Sequence, residues 1–382
     1  MSCTSGVFEG PSALKDFLNP ENNPPLPLVE LPEYLNPFSE MGIRIFAKLM
    51  YLLPLLNIKC LPALNMLLEA EASGRLQDVE TLVENSSGNT AFSLAVLARL
   101  FGISHITALV PWDIAPGKLD LLRLIGADPR LQKDSANGPT GIDLAREFGR
   151  DFGSFNPGQY HNDANPAAYE KWVAPQIWDQ TKGKLTVFAA GLGTTGTLVG
   201  ISRYLRRKSP TVSVVGAICA PNSAVPGVRS ESRLRPIGFD WRHAADAIVE
   251  VATRESFEQS LHLFRAGVMA GPSSGFALAG LLHFLEEQAR TRTLDKLRNA
   301  DGDVYAVFIC GDTPFPYLDK YSTHLDLSEI PAASFSHVSG ARSSAGTPRR
   351  DDRVNQNIQV RESRPMIRDI GPDSQPPSHA SR

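Results

Sequence analysis

The strongest constraint on this chain is an alternation that runs from Pro27 to about Ile330. Short apolar segments with strand chemistry take turns with longer segments of helical pattern. Strand chemistry is read over Ile43–Ala47, Val79–Glu84, Ile106–Val110, Leu185–Ala190, Val212–Cys219 and Val304–Cys310. Helices are read over 61–73, 90–101, 116–125, 166–181, 196–207, 254–266 and 274–288. Gly74, Gly102 and Gly126 each follow a helical segment, as a left-handed stop does. Strands that are apolar throughout and separated by helices belong to a parallel sheet covered on both faces. Two such units in about 300 residues imply two subdomains with a cleft between them. The expected fold is therefore α/β, two three-layer subdomains with mostly parallel twisted sheets. The smaller subdomain is expected over roughly 62–178, the larger over 27–61 plus 179–330.

The two ends read differently. Residues 1–26 carry Pro11, Pro20, Pro24 and Pro25 and read as an N-terminal arm. Residues 331–382 are rich in Ser, Arg and Pro without sustained periodicity and read as a disordered tail. Of the 382 residues, 42% are hydrophobic and 21% charged, and the formal net charge is −3, so no nucleic-acid or membrane footprint is expected. Cys3, Cys60, Cys219 and Cys310 lie too far apart for a metal-ligand spacing or a disulfide framework. No metal is expected. With no apolar signal core at the N-terminus, the expected location is the cytoplasm.

Four motifs carry chemistry. Lys59 lies between the apolar run Leu52–Ile58 and a helical segment. Poor solvation there disfavours the ammonium form and suits an amine that attacks an aldehyde, although such a lysine also simply leads its charge to water. Ser86-Ser87-Gly88-Asn89-Thr90 opens a helix after a strand and reads as a helix cap or a carboxylate-binding loop. Gly191-Leu192-Gly193-Thr194-Thr195-Gly196-Thr197 also joins a strand to a helix. Its glycines and free N–H groups suit a phosphate. It matches the dinucleotide fingerprint, but the next strand ends Ile218-Cys219-Ala220-Pro221 with no carboxylate for a ribose, which favours a lone phosphate over NAD. Gly271-Pro272-Ser273-Ser274-Gly275 again precedes a helix. The arginine-dense segment 227–235 reads as a solvated loop, a lid or a second anion site.

In their order these motifs resemble the fold-type II enzymes that use pyridoxal 5′-phosphate (PLP), with cysteine synthase and cystathionine β-synthase as the nearest pattern. Ile43–Leu49 resembles the family strand before the PLP lysine, and Lys59 then falls on that lysine. The resemblance implies PLP in the cleft, bound by Lys59, Asn89, Gly193, Thr194, Thr195, Gly196, Thr197 and Ser273. It implies a substrate carboxylate on Ser86, Ser87, Gly88, Thr90 and Gln159, and an acidic group at Asp312. Two departures stand out. The family's Gly-Gly-Ser-Val and Asp-Arg around the lysine are Leu55-Leu56-Asn57-Ile58 and Cys60-Leu61 here, and Thr195 replaces a usual glycine.

The implied activity is a β-replacement of cysteine-synthase type. An O-activated serine, or serine, would give an aminoacrylate to which a thiol, sulfide or other nucleophile adds. A serine/threonine-type lyase or dehydratase, a specialised synthase of a non-protein amino acid, and an inactive binding protein on the same fold remain open. The resemblance also implies a homodimer serving amino-acid biosynthesis.

Overall fold

The computed structural model describes residues 6–114, 116–133, 138–328 and 330. The tail expected from residue 331 lies outside the described residues. Among the described residues, ten strands form two sheets. Strands β1 (Leu28–Glu30), β2 (Ile43–Leu49), β7 (Val187–Gly191), β8 (Ser213–Cys219), β9 (Ala247–Val251) and β10 (Val304–Cys310) make a six-stranded sheet. Its order is β1-β2-β10-β7-β8-β9. Only β1 runs antiparallel, pairing Leu28 with Lys48 through Glu30 with Phe46. Strands β3 (Thr81–Asn85), β4 (His105–Pro111), β5 (Asp128–Gln132) and β6 (Ser154–Phe155) form a second sheet in the order β5-β4-β3-β6, parallel throughout. The α/β architecture with mostly parallel sheets is as expected. The second sheet is an excursion of the chain between β2 and β7.

Strand β10 holds the centre of the large sheet. It pairs with β2 from Val304↔Ile43 to Cys310↔Leu49 and with β7 from Ala306↔Val187 to Phe308↔Ala189. All seven of its residues are buried, so both of its faces are covered by the helices that the alternation anticipated. Helix Pro272–Arg290 packs on β10, β7, β8 and β9. Helices Ala164–Trp172 and Gly196–Lys208 pack on one another, and Gly200 lets them approach, since a Cβ there would sit 2.0 Å from the Pro166 carbonyl oxygen.

The structure corrects several expected elements. The helix read over 166–181 is two helices, Ala164–Trp172 and Ala174–Gln180. Pro175 has no N–H to continue the first helix and starts the second. Strands β1, β5, β6 and β9 and helix Gly141–Phe148 escaped the sequence reading. The strands are short, and β1, β5 and β9 carry exposed or half-exposed positions where the reading sought apolar runs. The helix is set by a capping box between Thr140 and Asp143.

Residues 13–18 form a helix with no buried residue. Ion pairs hold this leading segment down, Lys15 to Glu71 at 3.0 Å and Glu21 to Lys171 at 2.5 Å, and the Trp172 indole N–H donates to Glu21 at 2.9 Å. Lys48 is fully buried in β2. Its Nζ donates to Leu26 O at 2.6 Å and to Oε1 of Gln176 and Gln180, each at 2.8 Å.

Candidate active site

In a parallel sheet, all strands end on the same side, and loops past the carboxyl ends carry ligands where the strand order reverses. Most of the predicted site residues sit on such loops, whereas Ser273 opens a helix that follows another helix. Residues 86–90 follow β3, residues 192–197 follow β7 and Asp312 follows β10. Lys59 comes ten residues after the end of β2, at the start of helix Cys60–Ala72. It is brought to β10 by the backbone: Ile58 N–H donates to Gly311 O at 2.7 Å, and Asn57 bridges to Asp312. The Asn57 side chain then receives the Lys59 N–H at 2.9 Å and the Ser93 hydroxyl at 3.1 Å.

Burial pushes the Lys59 ammonium down to about 8, against the pull of the Asp312 carboxylate, and the Arg229 guanidinium adds to the depression. An amine in that range is unprotonated often enough near neutral pH to act as nucleophile and base. Asp312 itself is raised above the ordinary carboxylate range by burial. Its Oδ2 accepts from Asn89 Nδ2 at 2.7 Å and from the Tyr317 hydroxyl at 2.6 Å. This contact joins a loop of the small sheet to a loop of the large one.

The Ser86–Thr90 loop is held from behind. Ser86 Oγ accepts from Gly88 N–H at 3.3 Å and from Ala91 N–H at 3.4 Å. Thr90 Oγ1 donates to Gln159 Oε1 at 2.8 Å, and Gln159 Nε2 donates to Asn85 O at 3.1 Å. Glu84, buried at the end of β3, accepts the N–H groups of Asn85 at 3.0 Å and Gly158 at 3.1 Å, and burial raises it to about 7. Asn165 donates to Gln159 O at 2.6 Å and to Thr194 Oγ1 at 3.1 Å, which ties Gln159 to the glycine loop. Glu84, Asn57, Asn165 and Tyr317 were missed in the sequence. A carboxylate or amide inside an apolar strand end or a helix face is the signal that marks such residues.

The glycine loop opens helix Gly196–Lys208 with Thr195 as its first cap residue. A Cβ on Gly193 would sit 2.2 Å from Gly227 O, and one on Gly196 would sit 2.1 Å from Asn165 Oδ1, so neither position accepts a side chain. Thr195 is held at φ +68°, and its hydroxyl is buried without a partner among the described residues. Leu56, three residues before Lys59, likewise has φ +56°. Both non-glycine departures noted in the sequence thus keep a left-handed backbone that glycine adopts freely. Ser273 starts helix Pro272–Arg290 beside the end of β10; its Oγ lies 3.5 Å from where a Cβ on Gly311 would stand. The neighbouring Ser274 Oγ receives the Gly311 N–H at 3.1 Å.

An amine of lowered basicity, a helix N-terminus with a spare hydroxyl and a serine at a second helix N-terminus fit a small phosphorylated aldehyde, and so define a class of cofactor-dependent enzyme. Residues 21–296 match the family described as "Pyridoxal-phosphate dependent enzyme". Cysteine synthase B of Escherichia coli (strain K12) is 32% identical over 257 residues, 67% of this chain and 84% of the relative. Cysteine synthase of Staphylococcus aureus (strain Mu50 / ATCC 700699) is 27% identical over 279 residues, 71% of this chain and 90% of the relative. Among solved structures, O-ureido-L-serine synthase superposes with a TM-score of 0.67 at 25% identity over 82% of this chain and 95% of its own. Cysteine synthase from Entamoeba histolytica shares the fold, with a TM-score of 0.70 at 22% identity over 85% and 94% of the two chains. The chain belongs to the pyridoxal-phosphate dependent enzymes, in the fold-type II family of the cysteine synthases.

Among the described residues no helix is long and apolar enough to cross a membrane, and no group of His, Cys, Asp or Glu could hold a metal.

Proposed function

We propose that this protein is a β-replacement enzyme of cysteine-synthase type, acting on serine or an O-activated serine and a nucleophile. The observation that carries the reading is Lys59, an amine depressed to about 8 on a helix start between the carboxyl ends of two sheets. In this reading Lys59 would hold the cofactor, and its free amine would take the proton from the substrate Cα. Gly193, Thr194, Thr195, Gly196 and Thr197 take the phosphate at the helix N-terminus, where backbone dipoles favour an anion. Asn89, whose Nδ2 donates to Asp312, would stand beside the ring of the bound cofactor. Ser86, Ser87, Gly88, Thr90 and Gln159 receive the substrate carboxylate. Bound PLP supplies an electron sink for charge developing at Cα. Ser273 gives the ring nitrogen a neutral partner, and a hydroxyl does not hold that nitrogen protonated as a carboxylate would. That favours loss of a Cβ substituent over transamination.

The same reading has the protein act as a cytoplasmic homodimer whose small subdomain carries the substrate loop and whose large subdomain carries the phosphate loop. Absorbance spectra of wild type and Lys59→Ala, before and after borohydride, test the cofactor and its lysine. A visible band in wild type that reduction removes, and that Lys59→Ala lacks, is expected. Product analysis with serine and O-acetylserine then tests the reaction: a substituted alanine is expected, whereas keto acid and ammonia alone would make the protein a lyase. A colourless protein that stays colourless with added PLP would refute the reading.

A further inference from the structure

Past the carboxyl end of β8 lies a cavity of about 470 Å³. Its wall runs through Val228 and Arg229. This stretch lies directly against the glycine loop: Arg229 N–H donates to Leu192 O at 2.8 Å, and a Cβ on Gly191 would stand 2.7 Å from Val228 Cγ1. Cavity and cofactor loop therefore share one wall. Arg229 also acts on Lys59 electrostatically.

The lining is charged in one sense. Arg229, Arg233 and Lys320 face the cavity with His324, and among the described residues no Asp or Glu lines it. The Arg229 guanidinium is fixed by neutral groups, donating to the Tyr160 hydroxyl at 3.0 Å and to Arg233 O at 3.1 Å, and stacks 4.8 Å over the Tyr160 ring. Arg233 has no carboxylate partner among the described ion pairs, and the nearest acid to Lys320 is its chain neighbour Asp319 at 3.6 Å. Val225, Val228 and Phe257 supply apolar surface beside these cations. Two arginines without a described carboxylate partner, a lysine beside them and an apolar floor suit an organic anion.

Size separates the candidates. A sulfide ion fills about the space of one water, roughly 30 Å³. The cavity is more than ten times larger, in the range of sites for small organic ligands. The donor amino acid has its carboxylate assigned to the Ser86–Thr90 loop, which contributes nothing to this lining.

Resting on the β-replacement reading, we propose that this cavity is a subsite for the second substrate, and that the second substrate is a carboxylate-bearing nucleophile rather than sulfide. Arg233 and Lys320 hold its carboxylate, and Arg229 stands on the side of the cavity that backs on the glycine loop.

The test uses the PLP-loaded protein, with 3-mercaptopropionate as the carboxylate probe and 2-mercaptoethanol as its uncharged counterpart. Binding is read by titration calorimetry without donor, in wild type, Arg233→Ala and Lys320→Ala. Saturable binding of 3-mercaptopropionate, none of 2-mercaptoethanol, and a loss of about tenfold or more for each variant are expected. With O-acetylserine present, both variants should raise KM for 3-mercaptopropionate by a similar factor and leave turnover with sulfide unchanged. Equal binding of the two thiols, or variants that bind as wild type does, would overturn the subsite. Failure of any amino acid to alter the visible spectrum would instead remove the β-replacement reading, and the calorimetry would still decide whether the cavity takes a carboxylate.

Discussion

Thr195 combines two costs in the folded protein, and replacing it separates them. A non-glycine residue at φ +68° carries about 1–2 kcal/mol of steric strain. A buried hydroxyl without a partner adds about 1–3 kcal/mol. Glycine removes both. Against this stand about 0.5–1 kcal/mol for the freer unfolded chain and about 1.5 kcal/mol for two buried carbons. The apoprotein of Thr195→Gly should therefore be more stable than wild type by about 1 kcal/mol. Thr195→Ala removes the hydroxyl and keeps the strain, but it also keeps one buried carbon and the stiffer unfolded chain, so it should lie within about 0.5 kcal/mol of the glycine variant. At an ordinary buried helix or strand position alanine leads by about 1.5 kcal/mol. Urea unfolding of the three apoproteins, compared at equal m, measures the order. In the proposed site the hydroxyl faces the phosphate, so the glycine variant should bind PLP about tenfold more weakly or worse while being more stable without it. An alanine variant more stable than the glycine one by about 1.5 kcal/mol would refute the strain argument. A glycine variant with unchanged PLP affinity would refute the role of the hydroxyl.

Leu56, at φ +56° and 58% exposed, offers a cleaner case: Leu56→Gly should stabilise by up to about 1 kcal/mol in the same urea assay, because little burial is lost. For Lys59, a folded pKa near 8 against 10.5 for the free side chain means the unfolded chain binds the extra proton between those values. Apoprotein stability should rise as pH climbs from about 8 toward 10.5, by up to about 3 kcal/mol, and Lys59→Met should abolish that rise in pH-dependent unfolding. Lys48→Met should cost about 1–3 kcal/mol by chemical unfolding, because Gln180 Oε1 then loses its donor, while Leu26 O keeps Gln180 Nε2 at 2.8 Å and Gln176 Oε1 keeps the Leu26 N–H at 3.1 Å.

The order of elements and the motif positions follow from local properties that are written along the chain. Strand β10 is apolar at nearly every position because both its faces are covered, so it was legible end to end. Lys59, the Ser86–Thr90 loop, the glycine loop and Ser273 were legible because each stands at a strand or helix boundary, where residue type is tied to backbone geometry. Strands β5, β6 and β9 were not, since short segments with exposed positions lack the apolar run and form through neighbours already in place.

The residue order alone carries the α/β alternation and the positions of the candidate residues at the ends of strands and the starts of helices. The meeting of those residues was decided only in three dimensions. Asn89 and Asp312 are 223 residues apart and share a 2.7 Å hydrogen bond, and the basicity of Lys59 depends on burial and on two charged groups from distant segments. Likewise, Leu56 and Thr195 stand where glycine would be expected, yet the surrounding contacts hold both in the left-handed backbone. Contacts between distant residues and the exclusion of water leave no local pattern, because they arise only when the two sheets are packed together.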